Sequence, residues 1–271
     1  EDHIGAISYL LEEVNAPIYA TAMTNGLVKL KLEEHKLLDK VKLVNKKPGD
    51  RFKVGCMEVE FIHVNHSIAG AVAVAVKTPV GMIIQTGDYK IDSTPIQESM
   101  IDLTRFGELG NEGVLALLAD STNVERDGFS PSERFVGAKL NSLFENCKNR
   151  IIITTFASNV HRIQQIIDVS AKHGRKVAIT GRSMENVIAV SRELGYLKVP
   201  NDTLVDISKI KNYPKSKVTI ITTGSQGESM SALYRMVFSG HKQIEIEAGD
   251  RVIISASAVP GNEKTISKVI N

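Results

Sequence analysis

The sequence contains no tryptophan, only two cysteines among 271 residues, and no long apolar run. A membrane helix needs about 20 consecutive apolar residues, so nothing here has the form of a bilayer-crossing helix, and no membrane partner is expected. Cys56 and Cys147 stand far apart with no CxxC pairing. That spacing argues against a disulfide framework and for a reducing, cytoplasmic setting. Charge of one sign is missing too: 33 Lys and Arg stand against 31 Asp and Glu, a net of +2. Total charge therefore does not point to nucleic acid, although a near-neutral chain can still carry a basic patch. The first residues, Glu1-Asp2-His3, show neither an initiating methionine nor a basic leader, so a fragment or trimmed polypeptide is expected. No internal repeat or low-complexity stretch appears, and the missing tryptophan carries no functional reading.

What is present is ordinary globular material, 42% hydrophobic and 24% charged, enough for one large domain or two. Ile7, Leu10, Leu11 and Val14 have helical spacing, Ile18–Ala20 reads as a short strand, and Leu27–Leu38 as a charged amphipathic helix. Strands are predicted at Met57–Ile62, Ala71–Val76 and Met82–Gln85, the last two joined by the turn-forming Pro79-Val80-Gly81. Leu115–Leu118 reads as a buried strand. From Ser132 the texture changes. A helix over Val136–Phe144 is followed by strands at Ile151–Thr155, Lys176–Thr180, Val218–Thr222 and Arg251–Ser255. Helices Arg162–His173, Met184–Leu194 and Met230–Phe238 alternate with them. This alternation predicts βαβ units and a parallel sheet, with a domain boundary near residue 131.

Side chains of metal-ligand type sit at strand ends or loops in the first half. Asp2-His3 precedes a helix, His66 follows one predicted strand, and Asp88 follows another in Gln85-Thr86-Gly87-Asp88. His and Asp supply the N and O donors that zinc or manganese accepts, and an aspartate bridges two ions roughly 3.5–4 Å apart. Singly these signals are weak, because a lone strand-end histidine is most often structural and an Asp after Thr-Gly is often a turn residue. His63, an odd number of residues before His66, falls on the opposite face of an extended run and reads as structural. His35, His173 and His241 lie in polar surroundings and read as solvated.

Asp2-His3-Ile4-Gly5-Ala6 resembles the end of the HxHxDH signature of the metallo-β-lactamase superfamily. His66 in Asn-His-Ser-Ile and Asp88 in Thr-Gly-Asp resemble its next two metal motifs, in the same order. Asp120-Ser121-Thr122-Asn123, Phe156-Ala157-Ser158-Asn159-Val160-His161-Arg162 and Thr223-Gly224-Ser225-Gln226-Gly227-Glu228 resemble the β-CASP nucleases, and within them the ribonuclease J family. Pro260-Gly261-Asn262-Glu263-Lys264 fits the same family, so the resemblance covers essentially the whole chain. It implies an α/β fold: an incomplete αβ/βα metallo-β-lactamase domain over residues 1–131, with an inserted β-CASP α/β parallel-sheet domain over residues 132–271. It also implies a metal-dependent ribonuclease, 5′-to-3′ exonucleolytic and endonucleolytic, acting in rRNA processing and mRNA decay by two-metal activation of water.

The family pattern assigns metal ligation to Asp2, His3, His66 and Asp88, with two Zn2+ ions per complete site and manganese as the alternative. Catalytic roles fall to Asp2, to Asp120 as the acidic partner that orients a metal-binding histidine, and to His161 at the scissile phosphate. For Asp120 the plain alternative is a turn cap, and for His161 simple packing. Ser158 and Asn159, between a strand end and a helix start, are candidates for a 5′-monophosphate pocket, with ordinary helix capping as the alternative. Arg162, Ser225 and Gln226 complete the expected RNA contacts, and Arg182 and Lys264 are further candidates for backbone phosphates. The implied partners are single-stranded, 5′-monophosphorylated RNA and, in the full-length protein, further copies of itself.

The chain also departs from the pattern. The first two histidines of HxHxDH would precede Glu1, and the late β-CASP motif and last metal histidine would follow Asn271. The expectation is a polypeptide with four of the usual ligands and little activity alone. Ala69-Gly70 stands where the family usually has Pro-Asp, and Ser229 replaces another common proline. Competing readings are a DNA-directed β-CASP nuclease, an inactive scaffold subunit of an RNA-decay complex, and a small-ester hydrolase on the same core. A requirement for the 2′-hydroxyl separates RNA from DNA.

Overall fold

The computed structural model describes residues 3–238 and 240–271. The chain divides into two compact units, Glu1–Ser132 and Glu133–Asn271. In the first, α1 (Ile7–Glu13), β1 (Ile18–Ala20), α2 (Ala22–Glu34) and β2 (Leu43–Asn45) lead into β3 (Arg51–Val54), β4 (Met57–His63), β5 (Val72–Thr78) and β6 (Gly81–Gln85), then α3 (Leu103–Glu112) and β7 (Ala116–Leu118). The sheet order is β3-β4-β5-β6-β7, antiparallel except for the β6–β7 pair. Period-two alternation puts Ala73 and Ala75 of β5 against Met82 and Ile84 of β6, with Ile62, Val64, Ile101 and Leu109 closing that core. Leu11, Val28, Leu32 and Leu37 form a second cluster under α1 and α2.

Helix α2 begins five residues before the predicted start. Asn25-Gly26 looks like a breaker, but Asn25 is buried and its amide donates to Asn45 Oδ1 at 2.7 Å, a partner supplied by β2. The helix ends early, at Glu34, because Lys36 takes positive φ (58°). Strand β7 corrects a second expectation. Its apolar run read as buried, yet β7 is an edge strand paired only with β6, and Leu117 is 61% exposed. Helix α3, not anticipated, is started by Asp102, whose Oδ1 accepts from Arg105 N. The same Arg105 grips the buried Glu60 of β4 through two bonds of 2.8 and 2.9 Å.

The second unit runs α4 (Glu133–Phe144), β8 (Ile151–Thr154), α5 (Val160–Lys172), β9 (Lys176–Thr180), α6 (Arg182–Glu193), β10 (Val218–Thr222), α7 (Ala232–Val237), β11 (Arg251–Ile254) and α8 (Glu263–Ile270). The sheet order is β11-β8-β10-β9, and every pairing is parallel. Ile151, Ile152 and Ile153 are all fully buried, the near-continuous apolar run expected of a parallel strand covered on both faces. Ile152, Ala178, Ile220, Leu233 and Met236 centre one core beneath α7. At the opposite end of β8, buried Arg150 pairs with Asp250 and donates to Glu245 O at 2.8 Å.

Candidate metal centre

Strands β4 and β6 both run antiparallel to β5, and β7 is parallel to β6. Three carboxyl ends therefore meet one sheet edge. Each releases a chemistry-bearing residue within three positions: His66 beyond β4, Asp88 beyond β6 and Asp120 beyond β7. The loops are stitched together. Lys90 N donates to Asn65 O (2.8 Å), Thr86 N to Leu118 O (3.0 Å) and Asp120 N to Thr86 Oγ1 (3.0 Å). Gly87 takes φ +59°, and a Cβ there would meet Val72 O at 3.3 Å, so the tight turn that presents Asp88 favours glycine. His63 points elsewhere, its Nε2 2.9 Å from Ser99 O, the structural role its alternation predicts.

Asp88 Oδ2 lies 3.1 Å from His3 Nε2 and 3.7 Å from His66 Nε2. One carboxylate oxygen thus faces two imidazoles. Burial is the main force pushing the His66 pKa down, helped by His3 and Lys90, and the charges of Asp88 and Asp120 only partly oppose it. The neutral imidazole that results is the form able to donate a lone pair to a cation. The Asp120 carboxyl is held below its ordinary range by the Thr122 hydroxyl (2.6 Å), the Thr122 N–H (2.9 Å) and the Tyr89 N–H. Asp120 therefore caps its own turn, and its charge also reaches His66. The donor chemistry fits N/O ligation of zinc or manganese. Among the described residues no group of three closes to the spacing of a ready-made cation cage. Asp2 lies outside the described residues.

Sequence reasoning missed three supports of this edge: Thr86, Asn65 and Lys90. Asn65 is buried, accepts from Ile101 N (2.9 Å) and donates to Ser99 O (2.8 Å), which fixes the strand end just before His66. Lys90 Nζ stands 3.3 Å from the buried Asp92. The only advance signal was position, since all three adjoin the motif residues.

In the second unit the parallel strands likewise bring their carboxyl ends to one edge. Asn159 caps α5, its Oδ1 accepting from Arg162 N at 3.0 Å, while Ser158 stays exposed. His161, in the first turn of α5, is buried. Arg162, expected at RNA phosphate, is occupied otherwise. Its Nε and Nη2 grip Glu133 at 2.8 and 2.9 Å, and Nη1 donates to Ser255 O and Oγ at 2.9 and 2.7 Å. Four of its five N–H groups are spent on tying α4 and β11 to α5. Ser225 and Gln226, expected along an RNA channel, are buried. The Gln226 amide donates to Ser257 O (2.8 Å) and accepts from Val259 N (2.7 Å), so it staples the turn after β10 to the segment after β11. Arg182 and Lys264 are exposed. His241 is not the solvated residue expected: it is half-buried, with Nε2 3.1 Å from Thr180 Oγ1 and Nδ1 accepting from Gln243 N and Ile244 N.

The parallel α/β unit following a strand-end His/Asp edge defines a β-CASP protein of the metallo-β-lactamase superfamily, and a model of the β-CASP domain of ribonuclease J matches residues 148–271. Along its whole length the chain is 44% identical to a ribonuclease J of Helicobacter pylori strain J99, covering 39% of that protein. It is 45% identical to ribonuclease J 1 of Streptococcus pyogenes and 43% identical to ribonuclease J of Thermus thermophilus, covering 48% of each. The chain belongs to the ribonuclease J family, and it spans about two fifths to half the length of the curated relatives it matches. A crystal structure from Enterococcus faecalis V583, titled a protein of unknown function, aligns with a TM-score of 0.56 over 76% of this chain and 53% of that one, at 18% identity. That likeness concerns the fold alone.

Proposed function

We propose that this chain carries part of the catalytic machinery of a metal-dependent ribonuclease that hydrolyses RNA phosphodiester bonds, both from 5′ ends and internally. The observation that carries the reading is the Asp88 carboxylate set between His3 and His66 on the edge where three parallel-running strands end. When bound there, divalent cations (two Zn2+, or manganese) lower the pKa of a water toward about 7 and offset charge on phosphate oxygens. His3 and His66 would supply imidazole nitrogens and Asp88 a shared carboxylate oxygen. Asp2 would join them as ligand and as orienter of the attacking water. Asp120, kept ionised by Thr122 and Tyr89, holds negative charge near His66 and partly offsets the burial that lowers the pKa of its ring. The exposed Ser158 hydroxyl ahead of α5 would meet the terminal phosphate of a 5′-monophosphorylated single strand. His161 belongs to the same reading as a residue at the scissile phosphate. Cytoplasmic RNA decay and self-association of the full-length protein belong to the same reading.

The test is cleavage of 5′-labelled RNA by protein from the complete gene, compared with its Asp88→Ala and His66→Ala forms and with matched DNA. Loss of cleavage in both variants, with zinc affinity falling in parallel, supports the reading. Undiminished cleavage by Asp88→Ala sinks the metal assignment, and equal cleavage of DNA favours the DNA-directed alternative.

A further inference from the structure

The second unit gathers exposed lysines on a face that the proposed reaction does not use. From Ile207 to Lys217 the backbone forms two short 3₁₀ stretches, Ile207–Asn212 and Lys215–Lys217. Three-residue spacing turns Ile207, Ile210 and Tyr213 toward the core under α7, because side chains at i and i+3 eclipse in that geometry. Lys209, Lys211, Lys215 and Lys217 are left exposed, with no acidic residue among them. Beside this stretch lies a groove of about 510 Å³ lined by Lys211, Tyr213, Lys215, Lys242, Glu245 and Glu247 among others. It opens where Arg150 and Val218 begin their strands, at the amino ends of β8 and β10, whereas Ser158 and Gln226 follow their carboxyl ends.

The charges of the groove are unevenly matched. Arg150 is taken up by Asp250 and Glu247, and Lys215 sits 2.5 Å from Glu247. Among the described residues, Lys211 and Lys242 have no carboxylate at ion-pair distance. Ammonium groups that outnumber the carboxylates lining a groove, with Lys211 reaching Glu247 only through its longer-range charge, suit a flexible polyanion. We propose that this groove binds the phosphate backbone of single-stranded RNA at a place separate from the strand-end loops. The choice of RNA as the polyanion rests on the ribonuclease reading above; the excess of positive charge does not.

The experiment measures anisotropy of a 3′-labelled, 5′-hydroxyl uridine oligomer of about 20 nucleotides, in chelator, over ~50 to ~200 mM salt. The triple variant Lys211→Ala, Lys215→Ala, Lys242→Ala should lower the slope of log K against log salt by about 2, at about 0.7 per phosphate contact, and weaken binding at least about tenfold. The corresponding triple Lys→Arg variant should keep the slope, and Glu245→Gln should tighten binding. An unchanged slope in the alanine triple, with its circular dichroism intact, overturns the proposal. So does equal competition by a polyglutamate peptide, which would mark an acidic protein partner instead. The two readings fail separately: an unchanged slope with metal-dependent cleavage retained by protein from the complete gene removes the groove, and absent cleavage by that protein with the slope difference retained removes the ribonuclease.

Discussion

Replacing Arg162 separates a structural clamp from an RNA contact. The guanidinium makes a two-pronged bond to Glu133 and two more to Ser255, and the side chains of Arg162 and Glu133 are only 13% and 14% exposed. Removing one partner of a buried pair costs about 3–5 kcal/mol, because the other charge is left without compensation. The Ser255 carbonyl adds about 1 kcal/mol. Residual solvent access to both groups favours the low end, so Arg162→Ala should lose about 3 kcal/mol. With a urea dependence near 2 kcal/mol per molar, the unfolding midpoint should fall by about 1.5 M. Arg162→Lys should recover little, since an ammonium cannot reproduce the planar fork. In a double-mutant cycle with Glu133→Gln, the combined loss should fall short of the sum by about 1 kcal/mol or more. RNA affinity of the folded variant should keep its salt slope. An unchanged urea midpoint together with a slope reduced by about 0.7 would refute this reasoning and return Arg162 to the RNA.

In the first unit, Arg105→Met should destabilise by about 3 kcal/mol in urea unfolding, because buried Glu60 loses its two strongest bonds. Burial alone would raise the Glu60 pKa, but Arg105 and Arg51 outweigh it and hold the group below its ordinary value. The stability Glu60 contributes is therefore present above about pH 4.5 and lost as pH falls further, and a titration of the unfolding midpoint with and without Glu60→Gln should show that difference. His241 shifts in the same direction for a different reason. Burial, and then Arg235, push its pKa below the ordinary histidine value, so the unfolded chain takes up the proton first and stability falls as pH drops through about 6.5. His241→Gln should flatten that slope in thermal melts across the same range. Gly227 takes φ +70°, and a Cβ there would lie 2.8 Å from the backbone of Thr265 in α8, so Gly227→Ala should destabilise by about 1–3 kcal/mol. An unaltered melting temperature in that variant would show that α8 can move aside freely.

The pattern of strands and helices after residue 132 was legible because each signal is local. Apolar runs of four or five residues mark parallel strands, and three-to-four spacing marks the helices between them. The strands β2 and β3 and the helices α3 and α8 were not legible. Arg51–Val54 has half-exposed and exposed positions only, and α8, although Ile266, Val269 and Ile270 fall at helical spacing, is a short helix of 8 residues with none of them fully buried. Among site residues, the chemistry of His66 and Asp88 was readable from residue type and motif. Their convergence was not, since it depends on β4, β6 and β7 running the same way in one sheet.

By itself, the sequence determined the α/β class, the alternation that makes the second sheet parallel, and the kinds of donor atom that precede and follow the early strands. Those properties depend on side-chain type and short-range period, which the chain carries wherever it folds. Only the tertiary structure decided that one Asp88 oxygen lies between two imidazoles. It also decided that Arg162 and Gln226 are spent on internal bonds and that the spare lysines gather along one groove. A polar side chain has the same formula on a phosphate as on a neighbouring carboxylate, and distant segments settle which of the two it meets.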